Sequence, residues 1–143
     1  MGILKNHQIV DSLKATGRRL TRTRRAVLGV LERTHMPLSA TELYTQLHQD
    51  EIPIDLVTVY RTLTVLKDLG FVSQLELHKE GQFRYEIKEG REHHHHIRCQ
   101  VCGTIVDLLL CPLKKLMALI EKETRFVVSE HSLEFSGFCP KCQ

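Results

Sequence analysis

Two Cys-x-x-Cys pairs and a run of four histidines are the features of this 143-residue sequence that could do chemistry. The pairs are Cys99 with Cys102 and Cys139 with Cys142, and the histidine run ends at His96. Four thiolates complete a tetrahedral zinc shell and leave no position for water, which is typical of a structural site. A redox dithiol is the alternative, but each pair adjoins the end of a predicted strand, which favours structural zinc.

The histidines predict a second kind of metal site. Because side chains alternate along a strand, His94 and His96 share one side, and His93 and His95 share the other. The run therefore supports two sites, or one site and a solvent-exposed face. Imidazoles with a carboxylate accept Zn²⁺, Fe²⁺, Mn²⁺, Co²⁺ or Ni²⁺. The carboxylates within reach by sequence are Glu86 and Asp107. A permanent site beside an exchangeable one is typical of a metal sensor.

Composition and charge narrow the class of protein. The net charge is +3, but the first 25 residues carry seven basic side chains against Asp11 alone, a pattern that favours a polyanionic partner. The alternative is a solvated basic face. No apolar run approaches the roughly 18 residues of a membrane span, and the sequence shows no signal-peptide core, so we expect a cytosolic protein. Cys111, outside both pairs, is expected to be a small buried hydrophobe.

The first part of the chain predicts helices followed by a hairpin. Thr21 is a plausible N-cap for a helix over residues 22–33, and residues 39–42 form a capping-box pattern before a second helix. A third helix begins near residues 53–55 and stops at Gly70. Residues 5–15 predict a further helix ahead of these, and residues 71–77 and 82–87 alternate as two strands. This order is that of a winged helix-turn-helix domain, whose last helix enters the DNA major groove.

The remainder predicts a small α/β domain, so the fold class is α+β. Strands are expected over residues 94–99, 104–109 and 126–135, with a helix over residues 113–123. Residues 88–91 are polar and include Gly90, which indicates a hinge. The resulting division is a DNA-binding domain at 1–87, a hinge at 88–93 and a metal-binding dimerisation domain at 94–143. About fifty residues make a small core, which zinc and a partner chain would stabilise.

Several motifs in order resemble the ferric uptake regulator superfamily, which includes iron, zinc and peroxide sensors. They are RRLTRTR at 18–24, SATELY at 39–44, TVYR at 58–61, HHHHIRCQVCG at 93–103, HSLEFSG at 131–137 and FCPKC at 138–142. The resemblance covers nearly the whole chain. It implies a dimeric DNA-binding regulator whose winged helix binds DNA when a metal occupies a site at the domain junction.

The resemblance also implies roles for individual residues. The four cysteines of the two pairs match the family's structural zinc site. The regulatory metal site maps onto Glu86, His94 and His96, with Asp107 added in some members. A further site maps onto His93, His95 and His131. On the DNA side, Tyr60 and Arg61 lie with Thr58 on the recognition helix, and Arg19 occupies a minor-groove contact position.

Three departures from the family pattern bear on the subtype. Iron and peroxide sensors typically add a histidine just before the motif at residues 39–42, where this chain has Pro37, with His35 two residues earlier. Zinc sensors often place a cysteine where Glu86 stands, which argues against that branch. Lys114 occupies a position expected to be acidic, so the site of His93, His95 and His131 is expected to be weak or rebuilt.

These observations favour a homodimeric, metal-dependent transcriptional repressor rather than an enzyme. Its cofactors would be structural Zn²⁺ and a regulatory Fe²⁺, Zn²⁺ or Mn²⁺, and its partner an AT-rich palindromic double-stranded DNA operator, with no membrane and no small-molecule substrate. The target genes would serve iron or zinc uptake, or peroxide stress as an alternative. A zinc hydrolase would leave the basic helical domain unexplained, and a metal-storage or chaperone module would not bind DNA.

Overall fold

The chain folds into two compact units, Met1–Arg91 and Glu92–Gln143, which we call the N-terminal unit and the C-terminal unit. The computed structural model describes residues 11, 13–77, 80–88 and 91–143. The division lies inside the segment predicted as a hinge, although residues 89 and 90 are outside the described part and the hinge remains a prediction. Within the described residues, no helix is long and apolar enough to cross a membrane.

Three helices of the N-terminal unit begin close to the starts that the sequence predicted. They are α1 (Arg22–Thr34), α2 (Ala40–Gln49) and α3 (Leu56–Asp68). The side chains of Thr21, Ser39 and Asp55 accept hydrogen bonds from backbone N–H groups in the first turns, which would otherwise have no partner. The further helix predicted over residues 5–15 lies largely outside the described residues. The residues of that range that are described, 11 and 13–15, are helical.

A three-stranded antiparallel sheet completes this unit, in the order β1–β3–β2. The strands are β1 (Leu38–Ser39), β2 (Val72–Glu76) and β3 (Phe83–Ile87). The hairpin of β2 and β3 matches the predicted wing, whereas β1 was not predicted because two residues carry no periodic signal. Leucine and valine side chains from the three helices pack with Tyr85 and Ile87 of β3 in one hydrophobic core.

The C-terminal unit is a second three-stranded sheet with one helix. Its strands β4 (His95–Cys99), β5 (Ile105–Leu108) and β6 (Glu134–Gly137) lie in the order β5–β4–β6. β4 pairs antiparallel with β5 and parallel with β6. Helix α4 (Lys114–Thr124) connects β5 to the segment that leads into β6. The parallel pairing sets Cys99 opposite Gly137, two residues before the second cysteine pair.

The strand predicted over residues 126–135 is wrong for most of its length. Only Glu134–Gly137 forms a strand, and residues 125–133 have no regular structure. The composition of this segment favours a strand, but a strand also needs a neighbouring strand to pair with. The neighbouring β4 pairs only with residues 134–137. Phe126 and Val127 are 75% and 88% exposed, so this segment contributes little to the core of its own chain.

Candidate metal centres and DNA-binding surface

The two cysteine pairs are presented by tight turns at the same end of the C-terminal sheet. Cys99 ends β4, and the turn after it closes through a hydrogen bond of 3.0 Å from the Gly103 N–H to the Cys99 carbonyl. Gly103 has a φ of 74°, in the left-handed region that glycine adopts without strain. The second pair follows β6, and the Cys142 N–H donates to the Cys139 carbonyl at 2.8 Å.

All four sulfur atoms lie within 4.8 Å of one another, and the Sγ atoms of Cys102 and Cys139 are 3.7 Å apart. A tetrahedral ion with Zn–S bonds of about 2.3 Å requires sulfur separations of roughly 3.8 Å. Backbone N–H groups of Cys102 and Cys139 lower the pKa of Cys99 to about 6, which favours the thiolate that binds metal. The donor set and its spacing therefore fit a Zn²⁺ ion held by four thiolates.

The thiols in this group affect one another's ionisation. Hydrogen bonds from the Thr104 hydroxyl and N–H lower the pKa of Cys102. The pKa of Cys142 is raised to about 12, first by its hydrogen bond with Cys139 and then by burial. Four thiolates cannot easily coexist without a cation, because their like charges repel. A divalent ion at their centre would offset that repulsion and deprotonate the remaining thiols.

His94 and His96 lie together, as the alternation of strand side chains predicts. Their ring centroids are 4.9 Å apart. His96 is buried and is paired with Asp107 on the neighbouring strand β5. Its Nε2 atom lies 3.5 Å from the Asp107 carboxylate. Two imidazoles and a carboxylate are thus available for a divalent ion within the C-terminal unit.

Glu86, the other predicted ligand, belongs to the N-terminal unit. It is a buried residue of β3, and its carboxylate accepts a hydrogen bond of 2.7 Å from the guanidinium of Arg91. This ion pair joins two residues of the N-terminal unit. His35 lies two residues before the position where the family's additional histidine is expected, and it is an exposed C-cap of α1 with a φ of 53°.

The third group lies on the other side of β4 and includes a residue that the sequence did not assign to it. His93, His95 and His131 come together as the resemblance implied, with ring centroids of His93 and His131 4.6 Å apart. The Cys111 sulfur joins them, 3.4 Å from Nε2 of His131. Cys111 is therefore half-buried beside imidazoles and is not the buried hydrophobe that we expected. Burial, followed by the neighbouring histidines, lowers the pKa of His95, which favours its neutral, ligand form.

The candidate DNA-binding residues of α3 differ in exposure and in the contacts that their side chains make. Tyr60 is 49% exposed and Arg61 is also exposed, so both can reach a groove. The hydroxyl of Thr58, in contrast, donates to the Asp55 carboxylate at 2.8 Å. Thr58 thus supports the beginning of the helix. Arg19 is exposed ahead of α1, in the basic part of the sequence.

Comparison with known proteins identifies the fold and the family. Residues 15–136 match the ferric uptake regulator family. The chain is 34% identical over 134 residues to the peroxide-responsive repressor PerR of Staphylococcus aureus, covering 94% of this chain and 88% of that protein. The structure of Helicobacter pylori Fur, described as having three functional metal-binding sites, superposes with a TM-score of 0.81 at 28% identity, over 95% of this chain and 89% of that one.

The ferric uptake regulator of Vibrio cholerae gives a TM-score of 0.77 at 29% identity, over 90% of this chain and 98% of that one. These matches confirm the α+β fold with an N-terminal DNA-binding domain. Regulators of this family are dimers that bind DNA and respond to metals. The family match spans most of the sequence and includes the candidate metal-ligating side chains except Cys139 and Cys142. This chain belongs to the ferric uptake regulator family of transcriptional regulators.

Proposed function

We propose that this chain is a homodimeric, metal-dependent repressor that acts in the cytoplasm on genes for iron or zinc uptake. The observation that carries the proposal is the pair His94 and His96 with Asp107 beside them, a donor set distinct from the four-cysteine group of the same unit. The cysteine group would hold Zn²⁺ permanently. The histidine group would hold an exchangeable Fe²⁺, Zn²⁺ or Mn²⁺ and report its concentration.

Regulation would follow if Glu86 joins His94, His96 and Asp107 as a ligand. Glu86 belongs to the N-terminal unit and the others to the C-terminal unit, so an ion bound by all four would restrict the movement of one unit against the other. The restricted form would present the two α3 helices of a dimer to successive major-groove segments of an AT-rich palindrome. A 100-fold preference of the metal for that form shifts the equilibrium by about 2.7 kcal/mol.

A pair of adjacent substitutions tests this assignment. His96→Ala should abolish metal-stimulated binding to a palindromic operator and leave the zinc of the four-cysteine site and the dimer intact. His95→Ala changes the next residue, on the other side of β4, and should keep the response. Fluorescence anisotropy with labelled operator, repeated over a metal titration, measures both. A normal response in His96→Ala with a lost response in His95→Ala would reverse the assignment.

The DNA-binding role rests on the exposed side chains of α3 and the basic segment before α1. Arg61→Ala and Tyr60→Ala should reduce discrimination between operator and scrambled DNA, because these side chains would contact base edges. Arg19→Ala should weaken binding to both sequences and flatten its salt dependence. Lys67→Ala, at the far end of α3, is the matched control and should change little. Equal affinity of the metal-loaded protein for operator and scrambled DNA would contradict the proposal and favour a metal-storage role.

A peroxide-stress repressor is the second candidate, because the S. aureus relative is a peroxide-responsive repressor. The discriminating experiment compares protein loaded with Fe²⁺ and with Zn²⁺ before and after hydrogen peroxide. Loss of operator binding in the Fe²⁺ form alone would favour peroxide sensing. Retention in both forms, with binding that follows metal concentration, would favour regulation of metal uptake.

A further inference from the structure

Cys111 occupies a position in the C-terminal unit that neither packing nor the cysteine pairs explain. It lies between β5 and α4, while His131 lies in the irregular segment before β6. The Sγ atom of Cys111 is 3.4 Å from Nε2 of His131, and the Nε2 atoms of His93 and His95 are 3.1 Å apart. One ligand atom from each of these four residues falls within 4.8 Å of the others. We call these residues the Cys111 group.

The spacing of the Cys111 group matches a small tetrahedral ion. Zinc bonds of about 2.0–2.1 Å to imidazole and 2.3 Å to thiolate place ligand atoms roughly 3.3 Å apart for two nitrogens and 3.6 Å for nitrogen and sulfur. The two closest pairs in the group lie within a few tenths of an ångström of these separations. The four donors are three nitrogens and one sulfur, and none of them is a carboxylate.

The basic residue Lys114 explains why a thiolate would be needed as a ligand at this site. The residue at this position is basic, so the first turn of α4 supplies no carboxylate to the site, and Lys114 is exposed. Three neutral imidazoles alone would leave a divalent ion with three ligands and no compensating charge. Cys111, three residues earlier, supplies both the fourth ligand and a negative charge.

We propose that Cys111 is the fourth ligand of a closed tetrahedral metal site with His93, His95 and His131, and that its sulfur selects Zn²⁺ or Co²⁺ over Mn²⁺. Thiolate favours softer ions, whereas Mn²⁺ prefers carboxylate oxygens and six-coordinate geometry. The ion would connect the beginning of β4, the segment before α4 and the segment before β6. The inference concerns metal selection and the order of the C-terminal unit, and it goes beyond the proposed function without depending on DNA binding.

Cobalt spectroscopy of the full-length protein tests the proposal. Protein that retains one zinc per chain after mild chelation is titrated with Co²⁺, and elemental analysis verifies that the zinc remains. We expect the visible bands of tetrahedral Co²⁺ together with a sulfur-to-cobalt charge-transfer band. Because zinc fills the four-cysteine site, and His94, His96 and Asp107 offer no sulfur, Cys111 is the source of that band.

Cys111→Ser should remove the charge-transfer band and weaken Co²⁺ binding at this site. Loss of an outer-shell partner alone typically costs about 10-fold to 100-fold in metal affinity, so loss of a ligand should cost at least as much. His131→Ala keeps the thiol and should also weaken binding, whereas His94→Ala should leave the band unchanged. Mn²⁺ in excess should not displace the cobalt.

Two results would overturn the proposal: a charge-transfer band that survives Cys111→Ser with one zinc still bound, or unchanged Co²⁺ affinity in His131→Ala. Circular dichroism and retained zinc show that each variant is folded. If the cobalt spectrum behaves as expected but metal-loaded protein fails to bind operator DNA, the proposed function fails and the Cys111 site stands.

Discussion

The two units of this chain are stabilised by different means. In the N-terminal unit, three capped helices and a sheet enclose many fully buried leucines and valines, among them Leu43, Leu63 and Leu66. In the C-terminal unit, the buried apolar residues among those described are Cys99 and Ile105, and no residue of α4 is buried. The N-terminal unit has an extensive hydrophobic core, whereas two of the few buried side chains described in the C-terminal unit are histidines, His95 and His96.

The small number of buried side chains in the C-terminal unit indicates that its stability has another source. A unit of about fifty residues buries too little surface to fold reliably on its own, and metals or partner chains commonly compensate. Apolar side chains of α4 and the segment after it face solvent, with Leu119 61% exposed and Phe126 75% exposed. We therefore expect the C-terminal unit to depend on zinc and on a second chain, and the N-terminal unit on neither.

The largest expected effect is loss of the four-cysteine zinc. Cys102→Ser removes one thiolate from a site that would connect the turns after β4 and β6, and structural zinc contributes on the order of 10 kcal/mol of apparent folding free energy in small domains. The C-terminal unit should lose its protection from amide hydrogen exchange, while α1 to α3 retain theirs. Exchange measured by mass spectrometry, with zinc content, checks this, and Cys111→Ser is the matched control that should retain the zinc. An unchanged exchange pattern in Cys102→Ser would contradict the comparison.

The next effect concerns the exposed apolar side chains. Phe126→Glu introduces a charge into the surface that we expect a second chain to cover, where burial of an unpaired charge is costly. The dimer dissociation constant should rise by about 100-fold or more, equivalent to about 2.7 kcal/mol. Sedimentation at several protein concentrations measures it. Phe83→Glu makes the same change at a half-exposed position of the N-terminal unit and should leave the dimer unaffected; equal effects of the two would place the interface elsewhere.

A smaller effect is expected in the hydrophobic core. Leu63 of α3 is fully buried, so Leu63→Ala should destabilise the N-terminal unit by about 2–5 kcal/mol. Zinc content and protection of the C-terminal unit should remain as in the unmodified protein. Denaturant unfolding followed by hydrogen exchange distinguishes the units. Release of zinc by this variant would show that the units do not fold independently.

The smallest effect is expected at a helix cap. Ser39 accepts a hydrogen bond from the Glu42 N–H, and the Glu42 carboxylate accepts one from the Ser39 N–H at 2.8 Å. Ser39→Ala should cost about 1 kcal/mol of the stability of the N-terminal unit. Thr41→Ala changes an exposed residue of the same turn and should stay within about 0.5 kcal/mol. Thermal unfolding monitored by circular dichroism compares them, and equal shifts would mean that the cap contributes nothing.

Arg84 shows how local and distant information combine in the N-terminal unit. Its guanidinium is buried, and it pairs with the carboxylates of Glu42 and Glu80 and donates to the Pro37 carbonyl at 3.0 Å. The hydrogen bond with Glu80, followed by the interactions with Glu42, raises the pKa of Arg84 and thus favours its charged form. The sequence predicted the capping box that contains Glu42, but the contact with Arg84, more than forty positions away, follows from the pairing of β1 with β3.

Features that depend on neighbouring residues could be predicted from the sequence. Caps at Thr21 and Ser39 act within one helical turn, so the sequence alone predicts them. Strand alternation likewise separates His94 and His96 from His93 and His95. The cysteine spacing likewise predicted the four-sulfur group. The structure was needed to show that β6 pairs parallel with β4, that residues 125–133 lack a strand partner, and that Cys111 lies against His131. The physical reason is that each of these depends on contacts between segments distant in sequence, which no local periodicity encodes.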